Sequence, residues 1–301
     1  MKSKLLVLFS LSVFVLFAKL ILTPPSTPLS TPKLTPKPNP KLTRVLVLDF
    51  NPVIHSQNNT RLRKLKSWAD PQTLESEYIR IVSKLSHGMI NYSVIERISN
   101  IDMFLEKIDG FEYTETEYLN VINSHIEHHE PDIINYSKLI EKYDICQKVN
   151  SGQIDELWLW GGPWFGYYEA VMAGRDAYFT NALPIKNTPC NRNINIMGFS
   201  YERGVDEMLE DLGHRMEGVM AHVFNEDPRW EPSQKTEWGK FVSSYGWMHQ
   251  PPNILYSLQQ YIYDDPAVKP TPCSAWGCTK SGFESWWFNK LPAKWWDYLS
   301  N

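Results

Sequence analysis

The sequence predicts an α/β fold: a mainly parallel sheet with flanking helices, plus an aromatic-rich, irregular C-terminal lobe. Two observations support this prediction. Short apolar runs typical of buried strands alternate along the chain with segments of helical periodicity. In addition, seven of the 12 tryptophans fall within the last 64 residues, which distinguishes that end from the rest of the chain.

Four apolar runs predict the strands, and four periodic segments predict the helices. The first run is continuously apolar up to Asp49, as expected for a strand buried on both faces. The first periodic segment follows Pro71 and Thr73, which are residue types common at helix starts. The predicted strands are 44–49, 92–98, 154–160 and 193–199, and the predicted helices are 73–86, 115–124, 132–149 and 202–224.

In parallel sheets, functional sites gather beyond the carboxyl ends of the strands. The segments that follow three predicted strands are 49–52, 161–166 and 198–204. We therefore expect functional side chains near these segments, and the helix that starts after the third is the strongest place to look.

The first 43 residues predict export. Lys2 and Lys4 precede an apolar run that continues to residue 22 with only Lys19 charged, about the length of a membrane span. The tripeptide Leu16-Phe17-Ala18 places a large residue where a cleavage site needs a small one, so an uncleaved anchor is favoured over a cleaved signal. In both cases the main domain is extracytoplasmic, either membrane-anchored or secreted. The predicted organisation is an anchor or signal at 1–22, a Pro/Thr-rich linker at 23–43, an α/β domain at 44–231 and a Trp-rich lobe packed on it at 232–301.

Composition limits the kinds of partner that the protein can have, and the cysteine content indicates its compartment. The formal net charge is −4 and no basic stripe occurs, so nucleic acid is excluded as a predicted partner. Four cysteines form an even set, as expected in an oxidising compartment. Cys273 could bridge Cys278 locally and Cys146 could bridge Cys190, but spacing does not fix either pairing.

The helix predicted at 202–224 has one apolar and one polar side. Either the polar side is an ordinary solvated face with pairs one turn apart, or it carries a site. Gly213 and Gly218 lie beside it and would let another segment approach closely. The apolar stripe is Val205, Met208, Leu209, Leu212, Met216, Val219 and Val223, and the polar stripe is Arg203, Glu207, Glu210, His214 and Glu217.

A divalent metal, with zinc the expected ion, is the predicted cofactor of this polar stripe. Glu210 and His214 are one turn apart, and a carboxylate with an imidazole is a zinc-ligand pair. His249, in a turn-rich segment, is the predicted third ligand. Glu217 or Glu207 is the predicted base that activates a bound water molecule.

Weaker candidates have simpler alternatives. Glu169 could supply a carboxylate or could be an early helix residue. Asp49 could be catalytic or could start a turn. A histidine cluster could hold an adventitious metal, but an exposed helix end before Pro131 is the favoured interpretation. That cluster is His125, His128 and His129.

The C-terminal tryptophans allow two interpretations. Their faces could stack on glycan, but pairs at near-helical spacing also fit packing of the lobe against the sheet, which we favour. The tryptophans are Trp238, Trp247, Trp276, Trp286, Trp287, Trp295 and Trp296.

Three strings resemble strings in secreted and surface proteins to which no activity has been assigned. They have the patterns WxWGGPxFGxYE, GFxYERG and GHRxE, and they fall within 156–174, 196–204 and 212–218. The resemblance covers about a quarter of the chain. It implies that the three segments belong to one domain.

Together these patterns predict a metal-dependent hydrolase that acts on an envelope or extracellular polymer, peptide or glycan. The alternative is a non-catalytic surface module that binds glycan or a protein through its tryptophans. For the hydrolase and for the binding module alike, the N-terminal segment is the predicted point of contact with the membrane.

Overall fold

The computed structural model describes residues 40–252, 261–265 and 271–299. All of them belong to one unit, Pro38–Asn301. The predicted anchor at 1–22 and most of the predicted linker lie outside the described residues. In the part that is described, no helix is long and apolar enough to span a bilayer.

A five-stranded sheet forms the centre of this unit. Its strand order is β4-β1-β5-β7-β6, with β6 antiparallel to β7 and the other neighbours parallel. The short strands β2 and β3 form a separate antiparallel pair. The strands are β1 (Lys41–Phe50), β2 (Val53–Ile54), β3 (Thr60–Arg61), β4 (Ile90–Ile101), β5 (Glu156–Gly161), β6 (Ala170–Ala173) and β7 (Ile194–Ser200).

Helices cover both faces of the sheet, which confirms the predicted α/β fold class with a mainly parallel sheet. Three short 3₁₀ turns, His55–Gln57, Cys273–Ala275 and Ala293–Trp295, complete the described elements. The helices are α1 (Leu62–Leu65), α2 (Pro71–Leu85), α3 (Glu115–Ile122), α4 (Tyr136–Lys142), α5 (Ile145–Asn150), α6 (Val205–Val223), α7 (Glu237–Tyr245), α8 (Lys280–Lys290) and α9 (Trp296–Leu299).

Alternate residues of each strand enter opposite cores, because side chains in a strand point to alternate faces. In β1, Val45 and Val47 pack with α2, α6, α7 and α8, whereas Leu46 and Leu48 pack with α3, α4 and α5. Both faces are therefore buried, which explains why the strand reads as a continuous apolar run.

Two local predictions differ from the structure. The helix predicted at 132–149 is two helices, because Asp144 adopts a left-handed conformation with φ of 53° and interrupts the ladder. Asn135 caps the first of them by accepting a hydrogen bond from the backbone N–H of Lys138. The edge strand β6 was not predicted, since its four residues are too few to show a period.

The C-terminal lobe contains α7, α8 and α9, and its aromatic side chains belong to the same core as one face of the sheet, α2 and α6. Trp247 and Trp286 are half-buried, and Trp276 is 6% exposed. Packing, the interpretation favoured from the sequence, is therefore confirmed for most of this set. The fully buried members are Trp238, Trp287, Trp295 and Trp296.

Both disulfides that the sequence left open are formed. Cys146 in α5 bridges Cys190 in the segment before β7, and Cys273 bridges Cys278 across a five-residue separation. Two bridges and no free thiol among the described residues are a weak indication of an oxidising compartment.

Asp155, just before β5, is held by two arginines. Arg44 of β1 donates from Nε and Nη2 to its two carboxylate oxygens, each at 2.8 Å, and Arg192 donates at 2.9 Å. Burial alone would raise the pKa of Asp155, but the hydrogen bonds from Arg44 and Arg192 outweigh it and lower the pKa to about 2.

This depressed pKa predicts an acid-dependent loss of stability. The contribution is fully present above about pH 4 and is lost as the pH falls through about 2, since the folded state then takes up a proton. We expect Asp155→Asn to lower the free energy of unfolding by about 1–2 kcal/mol at pH 7 and by much less at pH 2.5. Urea unfolding at the two pH values measures this. Glu237→Gln, in an exposed pair with Lys294, is the control and should change little at either pH. An equal loss at both pH values for Asp155→Asn would contradict the assignment.

Candidate metal centre

The helix α6 begins directly after β7 and confirms the helix predicted at 202–224 within a few residues. Most of its predicted apolar stripe is buried against the sheet. Val205 is half-buried, and Val223 is 38% exposed. The following residue, Phe224, makes the core contact instead, packing edge-on against Trp295.

The polar side of α6 is covered by protein, so the interpretation as a solvated face is wrong for its central residues. The side chains of Glu210, His214 and Glu217 are only 7%, 12% and 14% exposed. The cover consists of the segment 246–250 and the helix α8, both from the C-terminal lobe.

The two glycines of α6 permit this close cover, as the sequence predicted. A Cβ atom at Gly213 would lie 2.4 Å from Cγ of Met248. A Cβ atom at Gly218 would lie 2.5 Å from the backbone oxygen of Thr180. Neither distance is possible for real atoms, so each glycine marks a point where another segment touches the helix backbone.

Glu210, His214 and His249 converge on one point and could hold a metal ion. His249 Nε2 lies 2.5 Å from Glu210 Oε1 and 2.8 Å from His214 Nε2. His214 Nε2 lies 3.8 Å from the same Glu210 oxygen. The three atoms all lie within 4.8 Å of one another, a spread that a single ion with bonds of about 2 Å can bridge.

Glu217 orients one of these ligands. Its Oε2 is 2.8 Å from Nδ1 of His214, and its Oε1 accepts the backbone N–H of Met248 at 2.8 Å. A carboxylate that accepts from Nδ1–H leaves Nε2 of the same ring as the metal-binding atom. Since both of its oxygens are engaged, its position favours an orienting role over the general-base role predicted from the sequence.

Lys280, at the start of α8, holds the other end of the acidic ligand. Its Nζ lies 2.6 Å from Glu210 Oε2 and 2.7 Å from Glu284 Oε1. Burial would raise the pKa of Glu210, but contacts with His214, His249 and Lys280 outweigh it and hold the pKa well below its ordinary range. The ligand is therefore a carboxylate, with Oε1 turned to the histidines.

The electrostatic field at this point favours a cation. Burial lowers the pKa of His214, but the charge of Glu217, the nearby carboxylate of Glu210 and the hydrogen bond with Glu217 raise it to about 11. The surrounding carboxylates thus favour positive charge at this point, and a metal ion would bind to His214 by displacing that proton.

Glu169 approaches His214 from outside α6, in the segment just before β6. It directly precedes β6, so the interpretation as an early helix residue is wrong. Its Oε2 lies 3.9 Å from His214 Nε2, and the side-chain amide of Asn181 donates to the same oxygen. Its carboxylate thus faces the metal-binding atom of His214 and remains partly open to solvent.

Two further carboxylates lie nearby on α6. Glu207 pairs with Arg203 at 2.9 Å and approaches Lys280 at 3.5 Å. Asp211 is 6% exposed, and burial followed by the charge of Glu169 raises its pKa well above the usual value. No sequence pattern marks Asp211, because it lies on the flank between the two stripes.

Two clefts border the metal group. The first, about 410 Å³, lies beyond the carboxyl ends of β5 and β7 and is lined by Glu169 and Glu207, as the parallel-sheet rule predicted. The second, about 380 Å³, is lined by His214 and His249 together with Trp230. Two of the ligands are therefore reachable from solvent.

The other sequence candidates have local partners. Asp49 is buried and accepts hydrogen bonds from the hydroxyl of Tyr201 and the backbone N–H of Asn100. His128 stacks on Trp164 and His129 stacks on Phe111. Within the described residues, the group on α6 is the one whose ligand atoms converge.

Comparison of the chain with protein-family models, curated proteins and solved structures gives no match in any of the three. The segments that carry the three strings form β5 and β6, the end of β7, and the middle of α6. They thus surround the first cleft and the metal group, so chemistry at this place has to follow from its geometry.

The glycine contact yields a prediction about stability. In Gly213→Ala the new methyl group would clash with Met248, so we expect the free energy of unfolding to fall by about 1–3 kcal/mol. Because Met248 carries His249 beside it, zinc affinity should fall as well. Thermal and urea unfolding measure the first effect, and calorimetric titration with Zn²⁺ measures the second.

The double variant Gly213→Ala/Met248→Ala is the control. Shortening Met248 removes the atoms that clash, so the losses in the double variant should be well below the sum of the two single losses. Additive losses would show that the methyl group destabilises the protein through some other contact.

Proposed function

We propose that this protein is a metal-dependent hydrolase. The observation that supports this most is the convergence of Glu210, His214 and His249 beside a cleft, with Glu169 facing the group from the other wall. Three protein ligands with an accessible side are the arrangement of a catalytic rather than a structural metal site.

Zinc is the ion this donor set favours. Two imidazole nitrogens and one carboxylate oxygen are a common ligand set of catalytic zinc, whereas calcium and magnesium prefer oxygen ligands alone. A bound zinc ion lowers the pKa of its water ligand to about 7 and polarises a substrate carbonyl. Both effects serve the attack of water on an acyl carbon.

Glu169 is the general base in this proposal. Its oxygen lies 3.9 Å from a ligand atom, so a water molecule at the metal would be within its reach. Glu217 is engaged by His214 and Met248, and Glu207 is paired with cations. Glu169 would take a proton from the attacking water and pass it to the leaving nitrogen or oxygen as the bond to the acyl carbon breaks.

We further propose that the enzyme acts outside the cytoplasm on an extracellular or envelope polymer. The support is the leader with its Pro/Thr-rich tether and the two disulfides. The alternative, a non-catalytic module that binds through the C-terminal tryptophans, is weakened because four of the seven are fully buried.

The first test is metal content. The full chain, purified in detergent and dialysed against Zn²⁺, should retain about one ion per chain. His214→Ala and His249→Ala should retain less than about a tenth of that, because each removes one of three ligands. Elemental analysis after gel filtration measures the ratio.

His222→Ala is the matched control for this test. His222 lies two turns beyond His214 on the same helix but stacks on Tyr178, away from the ligand atoms. It should keep the wild-type zinc content. Retention of no divalent ion by the wild type, or equal retention by all variants, would reject the proposed function.

The second test separates base from orienting residue. Glu169→Gln should keep its zinc but lose at least about tenfold in kcat/KM towards p-nitrophenyl acetate, a generic ester probe. Glu217→Ala should instead lose zinc affinity by about 10–100-fold, because it frees the ring of His214. Activity unchanged in Glu169→Gln would remove Glu169 from the mechanism, and an exchange of the two phenotypes would restore Glu217 as the base.

A further inference from the structure

The second cleft contains more than the two histidines. Trp230 lies at its mouth with 71% of its surface exposed, and no other ring of the described residues stacks on it. Trp247 and Arg229 line the same cleft. A wide aromatic face presented to solvent next to metal ligands is available for a substrate.

The lining favours a sugar over a peptide. A sugar ring has an apolar C–H face that can lie on Trp230 and hydroxyl groups that can bond to Asn181 and Arg229. One common way for an extended peptide to bind is by adding to an exposed strand edge. None of the lining residues belongs to a strand, since they come from α6 and from three irregular segments.

The proposed reaction limits the chemical class of the sugar further. A metal ion that polarises a carbonyl has nothing to polarise in the acetal of a glycosidic bond, whereas an acylated sugar carries an amide or ester carbonyl. The cleft volume of about 380 Å³ lies in the range of small-ligand sites. It has room for a sugar residue with its acyl group next to His214 and His249.

We propose that this cleft binds an acylated residue of a glycan, with the ring on Trp230 and the acyl group at the metal. The assignment of the reaction rests on the proposed function, whereas stacking on Trp230 does not. The oxygen of the activated water adds to the acyl carbon, and the bond from that carbon to the sugar nitrogen or oxygen breaks. The proton taken by Glu169 goes to this leaving atom, so the products are a carboxylic acid and a free amine or hydroxyl.

Binding is tested first, without turnover. The full chain is treated with a chelator and titrated calorimetrically with two probes, an oligosaccharide of four N-acetylglucosamine residues and an acetylated xylo-oligosaccharide. At least one should bind, and Trp230→Ala should weaken that binding at least about tenfold, because it removes the aromatic face on which the sugar ring lies.

Trp164→Ala is the matched control. Trp164 is also exposed, but it lines the first cleft and stacks on His128. Its replacement should leave the affinity unchanged. Binding that depends on Trp164 and not on Trp230 would overturn the proposal, as would failure of both probes to bind.

Release of acetate from the bound probe by the zinc-loaded chain tests the reaction. Acetate release that is lost in Trp230→Ala supports the whole proposal. Binding through Trp230 without acetate release leaves the cleft assignment standing and counts against the proposed hydrolase. Zinc-dependent cleavage of a peptide probe, unaffected by Trp230→Ala, would keep the hydrolase and reject the glycan.

Discussion

The contact between Gly213 of α6 and Met248 is the constraint on which the candidate site depends. Without a Cβ atom at residue 213, the Met248 side chain packs directly on the helix backbone. Glu217 then accepts the Met248 N–H, and the hydroxyl of Tyr263 donates to the Met248 carbonyl oxygen at 2.9 Å. With both backbone groups of residue 248 held, the next residue, His249, is placed beside His214.

The same contact turns a polar helix face into a buried one, and this has an electrostatic cost. Elsewhere on α6, Arg215 is paired with Glu156 at 2.6 Å and also donates to the backbone oxygen of Leu299, so that buried charge is balanced. Around His214, the buried carboxylates of Glu210 and Glu217 face the ammonium of Lys280 and the imidazole of His214, whose raised pKa makes it a cation at neutral pH, while Glu169 is partly exposed. These buried charges also balance, so what distinguishes this cluster from the pair of Arg215 and Glu156 is the convergence of three possible ligand atoms beside a cleft.

Sequence patterns predicted the features that are determined by residues close together in the chain. The strands and most helices follow from local apolar periods, and Glu210 with His214 follows from one helical turn. The prediction of one continuous helix at 132–149 was wrong, because the left-handed conformation of Asp144 that interrupts it cannot be read from the apolar pattern.

The partners that come from distant segments were harder to predict. His249 was selected because of its residue type and its rigid surroundings, whereas nothing local marked Lys280, which lies 70 residues beyond Glu210 and reaches it only through the packing of α8 on α6. Glu169 is a weak candidate in the sequence for the same reason, since its carboxylate meets His214 only once β6 has paired with β7.

The tryptophans of the lobe have a mechanical consequence for the site. Trp287 of α8 donates its indole N–H to the backbone oxygen of Gly246, at the start of the segment that carries His249. The bridge between Cys273 and Cys278 ends just before Thr279, which caps α8 by accepting the N–H of Gly282. Lys280 is the next residue. The disulfide and the cap together therefore fix the backbone position from which its side chain reaches Glu210. The buried aromatic side chains therefore hold the cover of the candidate site rigid, which the proposed metal binding requires because ligand atoms must keep their separation to within a fraction of an ångström.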